Sequence, residues 1–137
     1  MTDEEKIASA ALMSAKQKSL ELLYDYTKFH IGVYLTLATS YITAATAKFG
    51  GSEFLSLDGR FVPPTVIFIM VAGLAGGVIV SSLTQWVGGS TEDFLASKIG
   101  PWDWKAIQLH ARNWTYIEHT SFWLGLCCAA LSFVVKC

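Results

Sequence analysis

The run from Val62 to Val87 contains no acidic, basic or histidine residue. About 20 helical residues, each rising about 1.5 Å, cover the roughly 30 Å hydrocarbon core of a bilayer, and this run is longer than that. Pro63 and Pro64 stand at its start, where a helix tolerates a missing N–H. A long apolar helix needs either a large protein core or lipid around it, and composition decides between the two. The chain has 137 residues, 53% hydrophobic and 15% charged, with a mean hydropathy of +0.42. Ordinary soluble domains are roughly a quarter charged, so this chain has too few charges to cover a water-exposed surface. A net charge of −1 also argues against a nucleic-acid-binding wrapper. The sequence therefore predicts an all-α membrane protein.

Two further stretches, about 29–47 and 116–135, are long enough to span, giving three expected spans with 62–87. Glu118 and His119 lie near the start of the third and are expected at headgroup depth, neutralising each other there. Residues 1–28 read as an amphipathic helix outside the lipid, opened by a Thr2/Glu5 capping box, and residues 29–136 read as the transmembrane domain. The connection 88–115 is expected to be helical. One helix starts at Ser90-Thr91-Glu92-Asp93, and another runs from Pro101 unbroken through Trp104 and His110 into the last span. Lys6, Lys16, Lys18, Lys28, Lys98, Lys105 and Arg112 fall on one side of the membrane; Lys48, Arg60 and Lys136 fall on the other. That bias places the amino terminus inside, with Trp86, Trp102, Trp104 and Trp114 at the same boundary. The expected location is a plasma membrane, the inner membrane of a bacterium.

The first span carries the most informative pattern. At about 100° per residue, Gly32, Thr36, Thr39, Thr43 and Thr46 fall on one stripe, continued backward by Lys28 and Asp25. A polar stripe within a membrane faces a neighbouring helix or a water-filled path, not lipid. Threonine suits either role, because its hydroxyl can bond the carbonyl four residues earlier. In the second span Gly73 and Gly77 form a G-x-x-x-G continued by Ser81, with Ala72 and Gly76 alongside. Small residues of this kind let helix backbones approach closely.

Catalytic signatures are missing: no G-x-S-x-G, H-E-x-x-H or Walker loop occurs, so no enzyme is expected. Cys127, Cys128 and Cys137 show neither a disulfide framework nor metal-ligand spacing. Two of His30, His110 and His119 could clamp a haem between helices, but no other haem motif accompanies them, and neither cofactor nor metal is expected. Lys98, Lys105 and Arg112 are candidate contacts for an anionic, stackable ligand such as a nucleotide on the inner side; they also serve as positive-inside residues.

The amino-terminal helix, the stripe from Gly32 to Thr46 and Gly73-x-x-x-Gly77 together resemble the small multi-span membrane effectors of bacterial antiviral defence systems. That resemblance is one of architecture. It implies a pore held shut until a nucleotide-like signal or a soluble partner changes. Three spans bury few of one another's faces, so the polar stripe is expected to meet other copies in a homo-oligomer such as a tetramer. In that channel Thr36, Thr39, Thr43 and Thr46 line the path, Asp25 and Lys28 ring the inner mouth, and Gly73, Gly77 and Ser81 pack helices. The alternatives are a non-catalytic accessory subunit of a larger membrane complex and a haem-binding membrane anchor.

Overall fold

The computed structural model describes residues 2–49, 52–53, 57–86, 89–101 and 107–134. Its first element, α1, is a single helix from Asp3 to Thr46, 44 residues long and about 66 Å from end to end at about 1.5 Å per residue. The expected capping box opens it: Thr2 Oγ1 accepts from the Glu5 N–H and Glu5 Oε2 accepts from the Thr2 N–H. No proline interrupts it, and a lone Gly32 costs only about 1 kcal/mol in a helix interior. The helix therefore runs without a break through the boundary expected at residue 28. Residues 2–15 are exposed throughout and project beyond the other helices.

Strands β1 (Lys48–Phe49) and β2 (Ser52–Glu53) pair antiparallel after α1. Helix α2 then runs from Val62 to Leu83, with Pro63 and Pro64 in its first turn. Gly89 takes φ +93, a left-handed conformation that suits glycine, and turns the chain toward a short helix, α3 (Thr91–Ala96). Ser90 caps α3, bonding reciprocally with Asp93. Strand β3 (Lys98–Ile99) pairs with β4 (Leu109–His110), and α4 runs from Ala111 to Val134.

The continuous helix expected from Pro101 onward is thus interrupted by a β3–β4 ribbon, and within 88–115 only α3 and the first turn of α4 are α-helical among the described residues. The cause is a close approach of backbones: a Cβ on Gly100 would lie 3.0 Å from the Ile107 carbonyl oxygen. The ribbon is clipped to its surroundings by Ala111 N–H to Ser97 O and Trp114 Nε1–H to Ile99 O. Trp102, Trp104 and Lys105 lie outside the described residues, as do Lys136 and Cys137.

Two apolar clusters hold the helices together. Near the α3 end, Ile79, Leu83, Phe94, Ile99 and Ala111 are buried with Leu20, Leu23 and Trp114 against them. Deeper between the long helices, Tyr34 and Ala38 of α1 meet Ile69 and Ala72 of α2, with Phe122 of α4 beside them. Helix packing is closest where glycine permits it. A Cβ on Gly125 of α4 would lie 2.9 Å from Ile69 Cγ1, and one on Gly76 of α2 would lie 3.0 Å from Ile31 Cγ1.

Among the described residues two helices, α2 and α4, are long and apolar enough to cross a membrane, where three were expected. The stretch from 29 to 46 falls short because His30, Tyr34, Tyr41, Ser40 and four threonines dilute its apolar residues. Only 33% of the apolar window of α2 and 22% of that of α4 is buried inside the protein. Ile67, Leu74, Trp123 and Val134 all face outward, so neither helix is the enclosed core of a soluble fold.

Candidate functional site

Helix α1 presents two polar faces that behave differently. Thr27, Tyr34 and Ala38 are buried, the last two packed on Ile69 and Ala72 of α2 with Phe122 of α4 beside them. Thr36, Thr39, Thr43 and Thr46 are exposed and fall roughly on the opposite side of the helix, at about 100° per residue. Each threonine hydroxyl donates to its own helix: Thr36 to Gly32 O, Thr39 to Leu35 O, Thr43 to Thr39 O and Thr46 to Ile42 O, at 2.8–2.9 Å. A Cβ built on Gly32 meets nothing within 4 Å. Asp25, Lys28, Gly32 and Thr36 line one shallow groove along this face. The stripe read from the sequence is therefore continuous and turned away from the chain's own helices. Lys28 also holds its ammonium 5.8 Å from the centre of the Tyr24 ring.

The small residues of α2 divide in the same way. Ala72 and Gly76 are buried within the chain, whereas Gly73 and Gly77 would meet nothing within 4 Å if given a Cβ, and Ser81 is exposed with its hydroxyl bonded to Val78 O. Close packing inside the chain thus uses the Ala72/Gly76 pair and leaves the G-x-x-x-G surface open. Lys98 and Arg112 are exposed around the β3–β4 ribbon. At the same end, the backbone N–H and hydroxyl of Ser90 bond the Asp93 carboxylate at 2.7 and 2.9 Å and hold it below the usual carboxylate range. Lys16 of α1 adds to that effect.

A second polar site was not foreseen. Glu118, expected at headgroup depth, is 1% exposed, two turns into α4 and turned inward. Tyr34 Oη donates to its Oε1 at 3.0 Å, and the carboxylate sits over Gly76, where a Cβ would come within 3.5 Å of Oε1. Rings at four-residue steps lead to it along α1: Tyr26 lies 4.0 Å from His30 between centroids, and His30 lies 5.9 Å from Tyr34. From α4, His119 adds a ring 6.3 Å from His30. The His30 Nδ1 bonds Tyr26 O and the His119 Nδ1 bonds Thr115 O, both at 2.8 Å. A carbonyl oxygen only accepts, so Nδ1 carries the hydrogen in each ring and Nε2 is the acceptor of the neutral form. Tyr26 Oη donates to His119 Nε2 at 3.3 Å.

This grouping bears on the haem reading. His30 and His119 do come together, with Tyr26 packed on His30 and bonded to His119 Nε2. His110 stands apart in β4, bonded through Nδ1 to Ala96 O. Among the described residues no three of His, Cys, Asp and Glu come together to hold a metal.

Farther along α1, Tyr41 Oη donates to Ser132 Oγ at 2.8 Å, a second tie to α4. The sequence did carry a signal for these ties. Tyr34 and Tyr41 are seven apart, share a face with Thr27 and Ala38, and a phenol inside an apolar bundle needs a polar partner. Comparison with protein-family models, with curated proteins and with solved structures gives no match.

Proposed function

We propose that this chain is the subunit of a homo-oligomeric membrane channel, with the threonine face of α1 turned toward a shared central path. One observation carries the reading: a continuous hydroxyl stripe lies exposed on the face of α1 opposite its in-chain contacts. Helix α1 packs beside α2 through Tyr34, Ala38, Ile69 and Ala72, so its second half shares the depth of an apolar helix that can span. At that depth a polar face needs shelter from lipid, and other copies of the chain supply it. Self-bonded threonine hydroxyls need no further partner, yet they offer their lone pairs to water or a passing ion.

In this assembly α1 acts as the third span, Thr36, Thr39, Thr43 and Thr46 line the path, and Asp25 and Lys28 form charged rings at its mouth. Gly73, Gly77 and Ser81 sit between copies. The amino terminus and the β3–β4 ribbon face the cytoplasm of a bacterial cell, as the Lys and Arg distribution favours. There Lys98 and Arg112 would meet a gating partner or anionic ligand, as in the antiviral effectors that the architecture resembles.

The test is ion flux into vesicles holding purified protein. Thr36→Leu or Thr43→Leu should lower flux by about tenfold or more, equivalent to about 1.4 kcal/mol on the barrier, while assembly is kept. Unchanged flux in a correctly assembled variant would remove the pore assignment. A stripe that cross-links only to a foreign helix would point instead to an accessory subunit.

A further inference from the structure

Glu118 is an acid buried among helices, and its surroundings specify what can reach it. Helix α2 contains no ionisable side chain. From α1 the titratable groups facing it are Tyr34, His30 and Tyr26, and on α4 itself His119 lies next in sequence. None of these is a lysine or arginine, so among the described residues no fixed cation balances the carboxylate. On one side, the ladder Tyr26–His30–Tyr34 leads to it from the end where Tyr26 is 48% exposed. On the other, Ala38, Ile69, Ala72 and Phe122 form an apolar layer that closes the route.

An ionisable side chain at such depth is costly to keep charged and commonly marks an ion or proton site. A polar approach from one end and an apolar plug beyond describe a site that can be filled but not traversed. We infer that Glu118 is a proton-binding site, reached past Tyr26, His30 and His119 from the end where α1 projects. The proton bonds to a lone pair of Oε2, and Tyr34 Oη remains donor to Oε1 in both states. Loss of the proton leaves a carboxylate that binds Tyr34 more strongly, since hydrogen bonds to an ionised acceptor are roughly twice as strong as neutral ones. Proton occupancy therefore sets how firmly α1 is held to α4. The proton site stands without the channel; any control of opening by it rests on the channel reading.

Infrared difference spectroscopy of the full chain in lipid vesicles tests this without measuring flux. Stepping the pH should raise and lower one carboxylic-acid C=O band as a single-proton transition, with the ratio of the two forms changing about tenfold per pH unit. The band should be lost in Glu118→Gln and shifted in Tyr34→Phe, which removes the one hydrogen bond while leaving the acid in place. The Tyr34→Phe shift alone identifies the band if Glu118→Gln does not fold. A band that survives Glu118→Gln, or an acid that never changes state with pH, overturns the inference. Displacement of the proton by added sodium at fixed pH also overturns it, in favour of a metal-cation site. A failed flux test on the threonine variants leaves the infrared result untouched, so the two proposals fail separately.

Discussion

The two faces of α1 carry the same functional group to opposite ends. On the inner face, Tyr34 and Tyr41 put a hydroxyl at the tip of a long rigid arm that crosses to Glu118 and Ser132 of α4. On the outer face, Thr36, Thr39, Thr43 and Thr46 hold it on a short arm that folds back to the preceding turn. A phenol that reaches across ties this chain to itself. A hydroxyl satisfied within its own helix ties it to nothing and leaves a mildly polar surface available to other molecules. Arm length thus separates the hydroxyls that tie the chain's helices together from those left on its exposed surface.

Truncation on each face is the strongest way to break this comparison. Tyr34 is 1% exposed, and Tyr34→Ala should cost about 3–5 kcal/mol, as for other buried aromatics. Thr36→Ala, at an exposed position, should stay within about 0.5 kcal/mol. Denaturant titration in a detergent that keeps single copies measures both, and equal losses would contradict the division of α1 into two faces.

The glycines sharpen the same contrast at smaller amplitude. Gly125→Ala drives a methyl to 2.9 Å from Ile69 Cγ1 and should cost about 1–3 kcal/mol through overpacking. Gly77→Ala meets open space and should leave the single chain unchanged or up to about 1 kcal/mol more stable. The same titration reads both. If Gly77→Ala proves the more damaging of the two in isolated chains, the open face has been misassigned.

The smallest effect concerns the α3 end. Hydrogen bonds from Ser90 hold Asp93 below the ordinary carboxylate range in the folded chain. A depressed folded pKa contributes stability above the unfolded value and loses it as pH falls through the folded one. Thermal melts should show Asp93→Asn slightly less stable than the native chain near neutral pH, with the difference shrinking as the native chain loses stability on the acid side.

Much of this was legible because it is local. The capping boxes at Thr2/Glu5 and Ser90/Asp93, the bounds of α2 near its prolines and the threonine stripe each depend on residues within a few turns. The burial of Glu118 was not foreseen because its partner, Tyr34, lies 84 positions away and spacing along one helix says nothing of it. The β3–β4 ribbon was missed for a related reason: the approach of Gly100 to Ile107 overrides the helical pattern that follows Pro101. Continuity of α1 across residue 28 was hidden by the change in composition there, since a helix can alter its residues without altering its backbone.

The central claim is that the threonine face of α1 meets other copies of the same chain, and the mass of the purified protein in detergent tests it most directly. Native mass spectrometry should give one closed homo-oligomer of three or more copies, which dissociates when a bulky charge is placed at Thr39 by Thr39→Arg. A stable monomer that folds and keeps α1 intact would contradict the account, because the stripe would then have no copy to face.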